Sequence, residues 1–172
     1  MGILSGNPSK EPMHSGEVTG VWAYLMSTNG LMRLYETFSN HVGDDDLKQE
    51  LTSLLHTMKQ ETQELAKVLK ENGIGLPPTT PERPVANAQD IPTGARLLDP
   101  EIANIVSMNL GQGLVSCSMV MGQCIREDIG MMFGQFHAAK AMAGMKMLRL
   151  LKEKAWLVVP PLHVAPHVQS KS

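Results

Sequence analysis

Residues 45 to 78 and residues 127 to 160 read as two versions of one segment, offset by 82 positions. Leu47, Leu51, Leu54, Leu65, Val68 and Leu69 fall opposite Ile129, Phe133, Phe136, Met147, Leu150 and Leu151. Lys70-Glu71 falls opposite Lys152-Glu153, and Pro78 opposite Pro160. An echo of this length exceeds a single helix, so it predicts a helical hairpin used twice. The apolar positions recur at spacings of three and four, the period of a helix that buries one face.

That spacing predicts four helices, over about 15–41, 44–72, 99–123 and 127–155. In the first, Ser15 is the expected N-cap and Glu17 sits in the first turn, where a carboxylate meets the positive end of the helix dipole. Val18, Val21, Trp22, Leu25, Met32, Tyr35 and Phe38 form its apolar stripe, and Gly43 suits a C-terminal turn. The second opens with Asp44, Asp45 and Asp46 and stops at Asn72-Gly73. The third starts with Asp99 as N-cap and Pro100 in the first helical position. The boundary between the third and fourth is set by the offset alone, which places Arg126-Glu127-Asp128 opposite Asp44-Asp45-Asp46.

Residues 73 to 98 differ in kind, because proline punctuates them and excludes helix at its own position and the one before. A helix of about 27 residues is roughly 40 Å long, and 26 extended residues reach that far easily. The segment can therefore cross the full length of a bundle. Short turns within each pair and a long proline-rich crossover between pairs specify an all-α, ferritin-like four-helix bundle in one domain. Residues 160 to 172, with Pro160, Pro161 and Pro166, are expected to form an extended tail.

Charge and composition exclude several functions. A formal charge of −2, from 15 basic and 17 acidic residues, leaves no footprint for nucleic acid. Residues 102 to 125 carry no charge, but Asn104, Ser107, Asn109, Gln112, Ser116, Ser118 and Gln123 interrupt them, against a membrane span. The N-terminus lacks a charged-then-apolar layout, so a cytoplasmic protein is expected. Gly6 stands where a myristoylation site wants Ser or Thr. Cys117 and Cys124 lie seven residues apart, too far for a disulfide within one helix. They read as buried thiols, with a crosslink between chains as the alternative.

Four stretches resemble a known family: MGILSGNP at the start, GEV…W at 16 to 22, GIGLPPTTPERP at 73 to 84 and MGQCIREDIGMMFGQFH at 121 to 137. They are similar to ferritin-like proteins of spore-forming bacteria that carry a spore coat name and are related to the coat F type domain. The resemblance covers most of residues 1 to 163. It implies a helical bundle and a place in the spore coat, and it carries no catalytic residues to transfer.

A ferritin-type dinuclear metal centre needs one Glu from each of two helices and Glu-x-x-His from each of the other two. This chain lacks that set. His56 is preceded three positions earlier by Ser53 and His137 by Gly134, while the first helix offers Thr28 and Asn29 at its middle. The remaining weak metal candidates are His14 and Glu17, in Glu11-x-x-His14-x-x-Glu17, together with Glu61, His56 and His137; His163 and His167 flank Pro166 in the tail. No metal or cofactor is expected. Glu61 lies on the second helix's apolar seam, and the offset sets it against Ala143 and sets Met58 against Lys140. An inward Glu61 and Lys140 would pair across the bundle; the alternative turns each to the rim.

Eight of the 13 methionines lie between Met108 and Met147, among Gly111, Gly113, Gly122, Gly130, Gly134 and Gly144. The first hairpin is charge-rich and the second is nearly charge-free outside its ends. Burial of the second by self-association or by other coat proteins is one reading, and a well-filled intramolecular core is the other. The expectation is a non-enzymatic structural or interaction protein, with a metal- or small-ligand-binding bundle using unusual ligands as the alternative.

Overall fold

The computed structural model describes residues 10–163, so the expected tail beyond 163, with His167, lies outside the described residues. Four helices carry the chain: α1 (Ser15–His41), α2 (Asp45–Glu71), α3 (Asp99–Met121) and α4 (Glu127–Glu153). No strand occurs among the described residues. The molecule is a four-helix bundle.

Helix α2 shows why these segments fold as they do. Leu47, Leu51, Leu54, Met58, Glu61, Leu65 and Leu69 are its buried residues, one continuous face at spacings of three and four. The Asp44 side chain accepts from Leu47 N at 3.0 Å and so satisfies one of the unpaired amides at the start. At the end, Ile74 N donates to Leu69 O and Gly73 N to Lys70 O, the paired bonds of a Schellman cap. That cap needs a left-handed residue, and Gly73 supplies φ +70°.

Helix α4 ends in the same motif, 82 positions on. Trp156 N donates to Leu151 O and Ala155 N to Lys152 O, with Ala155 in the left-handed position at φ 57°. Here a Cβ occupies a conformation that costs L-residues roughly 1–2 kcal/mol.

Two of the expected N-caps move. His14, rather than Ser15, caps α1, and its imidazole Nδ1 accepts from Gly16 N at 3.0 Å. Asp99 is already helical, with Leu98 in the cap position, and it spends its carboxylate on another element. Asp99 Oδ1 accepts from Gly43 N at 2.8 Å, so the turn after α1 is held from α3 rather than by a left-handed glycine.

These contacts also fix the directions. The end of α1 meets the start of α3 through Gly43 and Asp99, while His14 and Gln123 meet at the opposite end. Asp44 and Lys154 join the start of α2 to the end of α4, and Asn72 and Arg126 join their other ends. Each neighbouring pair is therefore antiparallel, and α2 and α3 point the same way. The 26 residues between them climb along α1. Trp22 Nε1 donates to Gly75 O, Arg83 N to Glu36 Oε2, Asn40 Nδ2 to Pro84 O and Leu97 N to His41 Nδ1, at 2.8–3.0 Å.

The core is in two parts. One, around Tyr35, Phe38, Leu51, Val106 and Met147, fills the end where α1 gives way to α2. The other, around Val21, Leu65, Leu69, Ile129 and Phe133, fills the end where α3 gives way to α4.

Candidate functional site

Between the two cores lies a polar layer. Lys140 Nζ donates to both Glu61 oxygens, at 2.6 and 2.7 Å, with Glu61 only 2 % exposed. Of the two readings of these residues, the inward pair is the observed one. The same ammonium stands 5.4 Å from the Tyr24 ring centre and 5.9 Å from that of Phe136, both within cation–π range. Tyr24 Oη and Cys117 Sγ are 3.3 Å apart, and Thr28 Oγ1 donates to Tyr24 O. Gly113 lets the Lys140 stem pass, since a Cβ there would sit 2.8 Å from its Cδ.

The electrostatics of this layer work against reactivity. Burial raises the Glu61 carboxyl, and the Lys140 ammonium pulls it back only in part. Burial, then the Glu61 charge, pushes the Tyr24 phenol far above its ordinary value. Burial likewise pushes the Cys117 thiol up, and pushes Cys124 up to about 11. Thiols held in this state are poor nucleophiles. Both cysteines are free, Cys117 buried and Cys124 half-buried.

A second polar cluster closes the end of the bundle where α3 turns into α4. Glu17 is fully buried; its Oε2 accepts from His14 N at 3.1 Å, and its Oε1 accepts from Ile125 N and Arg126 N, both at 2.8 Å. One carboxylate thus caps α1 and the entrance to α4 together. Because His14 Nδ1 accepts from Gly16, the proton is on Nε2, which donates to Gln123 O at 2.9 Å. Glycine at residue 16 leaves room for this ring, since a Cβ would stand 2.6 Å from His14 Cε1 and displace it. The Arg126 guanidinium, 3 % exposed, donates to Glu11 O, Asn72 Oδ1 and the Asp128 carboxylate. The sequence marks Arg126 only as the 82-residue counterpart of Asp44, and its bridging role was not foreseen.

The five metal candidates do not meet. His14 and Glu17 come together, but as a capping box whose lone pairs are committed to backbone N–H groups. Glu61 is tied to Lys140. His56 is exposed on α2 and His137 is half-buried on α4. Among the described residues, no three His, Cys, Asp or Glu side chains converge as a metal ion would require.

A cleft of about 960 Å³ opens onto the polar layer from between α1 and α3. Its walls include Ala23, Ser27, Gly30 and Leu34 on α1 and Asn109, Gly113, Ser116 and Met119 on α3, with Met58, Glu61 and Lys140 at its floor.

The family model described as protein of unknown function DUF3231 matches residues 1–168. The chain belongs to this family. It is 54% identical over 167 residues to the uncharacterized protein YvdQ of Bacillus subtilis (strain 168), covering 97% of this chain and 98% of that one. It is also similar to the crystal structure of a "putative spore coat protein" from Bacillus halodurans C-125. That likeness has 50% identity and a TM-score of 0.91 over 92% of this chain and 100% of the other. A conserved hypothetical protein from Mycobacterium tuberculosis shares the fold, with a TM-score of 0.64 at 12% identity over 88% and 98% of the two chains. No described helix is long and apolar enough to cross a membrane.

Proposed function

We propose that this DUF3231 protein is a non-catalytic, ferritin-like bundle that serves as a structural component of the spore coat and associates through its second hairpin. The observation that carries the reading is the outer face of α3 and α4. Met108, Met131, Met142 and Met145 are each 64–71 % exposed, and Val115 is exposed as well. Exposed apolar side chains in such number mark a surface that is covered in use, and methionine packs against varied partners. The bundle centre supports the same reading, because Glu61 and Lys140 satisfy each other and no three His, Cys, Asp or Glu side chains converge among the described residues. The coat assignment rests on the Bacillus halodurans relative's name.

Self-association is read by sedimentation velocity of the wild-type chain and of a Met131→Lys/Met142→Lys variant. The expected result is a concentration-dependent oligomer that the variant abolishes, and a monomer at every concentration would overturn it. A fluorescent fusion in a sporulating bacterium should concentrate at the spore envelope; uniform cytoplasmic signal would refute the coat role. One equivalent of iron, manganese or zinc in the purified protein would refute the metal-free reading.

A further inference from the structure

Helix α4 carries one outward stripe. Glu127, Met131, Gln135, Ala138, Met142, Met145 and Arg149 are exposed, at spacings of four, four, three, four, three and four. That is the period of a helix face, and it lies opposite the buried Ile129, Phe133, Phe136 and Met147. A helix with apolar residues on both faces is one that becomes buried on both.

The stripe has a centre. Met131 and Met145 stand seven residues before and after Ala138, and Glu127 and Arg149 stand eleven before and after. Two copies of α4 crossing antiparallel at Ala138, on a twofold axis, therefore bring Met131 of each copy against Met145 of the other. The same operation brings each Glu127 to the other copy's Arg149, so opposite charges meet at both ends of the contact. Within the chain neither of these side chains is in an ion pair. A parallel crossing would instead set Glu127 on Glu127 and Arg149 on Arg149, and like charges brought together oppose association. The small side chain of Ala138, with Gly134 one turn before it, leaves room for two helices to approach at the crossing.

The size of the face suits such a contact. From Glu127 to Arg149, α4 is roughly 33 Å long, and with α3 alongside the face is about 20 Å wide. On α3, Gly111, Val115 and Ser118 are exposed beside it, and residues 102 to 125 carry no charge. On the order of 650 Å² is thus available on each copy, close to the roughly 800 Å² per partner of a standard stable interface.

We propose that the outer face of α4 binds a second copy of this chain in a closed antiparallel dimer whose twofold axis passes through Ala138. This rests on the reading that the second hairpin is the association surface, and it names the occupant and the register. Disulfide trapping in the full chain tests it. Under mild oxidation Ala138→Cys should give a covalent dimer on a non-reducing gel, because the two thiols meet at the axis. Met131→Cys alone should not, since its two copies lie roughly 21 Å apart along the helices, whereas Met131→Cys with Met145→Cys should. Wild type, with Cys117 buried and Cys124 half-buried, is the uncrosslinked control. In sedimentation, Arg149→Glu should weaken association about tenfold, because the twofold repeats the clash, and adding Glu127→Arg should restore it to within about threefold. An oligomer in which Met131→Cys crosslinks alone and Ala138→Cys does not overturns this geometry but leaves association through the second hairpin standing. An oligomer that the added Glu127→Arg does not restore overturns the register. A monomer at every concentration overturns both readings.

Discussion

Helices α2 and α4 lie antiparallel with their positions related by 82, yet at two levels of the bundle the matched positions carry different chemistries. Asp44 meets Lys154 as an ion pair at 2.7 Å, while Arg126 and Asn72, at the same two positions in the other order, meet through a neutral acceptor. Glu61 and Lys140 form a buried ion pair, while their counterparts Ala143 and Met58 lie in the apolar core. The same backbone geometry therefore tolerates a charged or an apolar filling at its centre. Charge here is a choice laid over the packing, and it is not what makes the bundle close.

Removing one partner of the central pair tests that conclusion with the largest effect. Glu61→Ala leaves the Lys140 ammonium unpaired and should cost about 3 kcal/mol in urea denaturation. Glu61→Ala with Lys140→Met converts the centre to its apolar counterpart and should return to within about 1 kcal/mol of the parent. If the double variant is as unstable as the single one, the pair is essential to the packing and the comparison fails.

The starts of the two helices differ next. Asp44 caps α2 from its own chain position, whereas the amides at Ile125 and Arg126 are satisfied by Glu17 from α1. Glu17→Ala strips acceptors from three N–H groups and should cost roughly 3 kcal/mol, against about 1 kcal/mol for Asp44→Ala. Thermal melts of the two variants rank them.

Asp44 also carries a pH signature. Slight burial would raise its carboxyl, but the Lys154 ammonium and Leu47 N–H hold it below its ordinary 3.8. A carboxyl lowered by folding stabilises the protein above its unfolded value, and that gain is lost as pH falls through the folded value. Asp128, lowered mainly by its bond from Arg126, behaves alike. Stability should therefore drop below about pH 4, and Asp44→Asn should make that drop shallower in a pH series of urea melts.

The smallest difference is at the ends. Gly73 and Ala155 fill equivalent left-handed positions, so Ala155→Gly should stabilise by about 0.5–1 kcal/mol and Gly73→Ala should destabilise by a similar amount. Paired melting curves with opposite shifts are the expected result.

The all-helical bundle was legible in the sequence because its apolar residues recur at three and four, a pattern only a helix turns to one side. Asn72-Gly73 announced the end of α2 for a steric reason. The cap of α4 was not announced, since Ala155 has no preference for the conformation it adopts. His14 was read as a weak metal candidate, but an imidazole Nδ1 can accept an amide hydrogen as Asn does, which hid its role as a cap. Asp99 was assigned to its own helix because propensity cannot see that Gly43 lies beside it. Glu61 and Lys140 were legible as a possible pair, since the offset placed both near the bundle centre. A small-ligand site between helices was an alternative reading, but the place of the cleft between α1 and α3 was not legible. Its existence depends on how far α1 and α3 stand apart, a distance that small residues permit in either direction.

The climbing connection along α1 has a consequence for how the molecule can be divided. It is exposed along almost all of residues 79–90, yet Arg83, Pro84, Ala86 and Leu97 are each pinned to α1 by hydrogen bonds. Each half retains a complete hairpin, and the two share a core that neither can close alone. A chain severed at Thr79–Thr80 should therefore reassemble from separately produced halves, co-eluting as one species in gel filtration, with the segment 81–98 acting as a clasp carried by the second half.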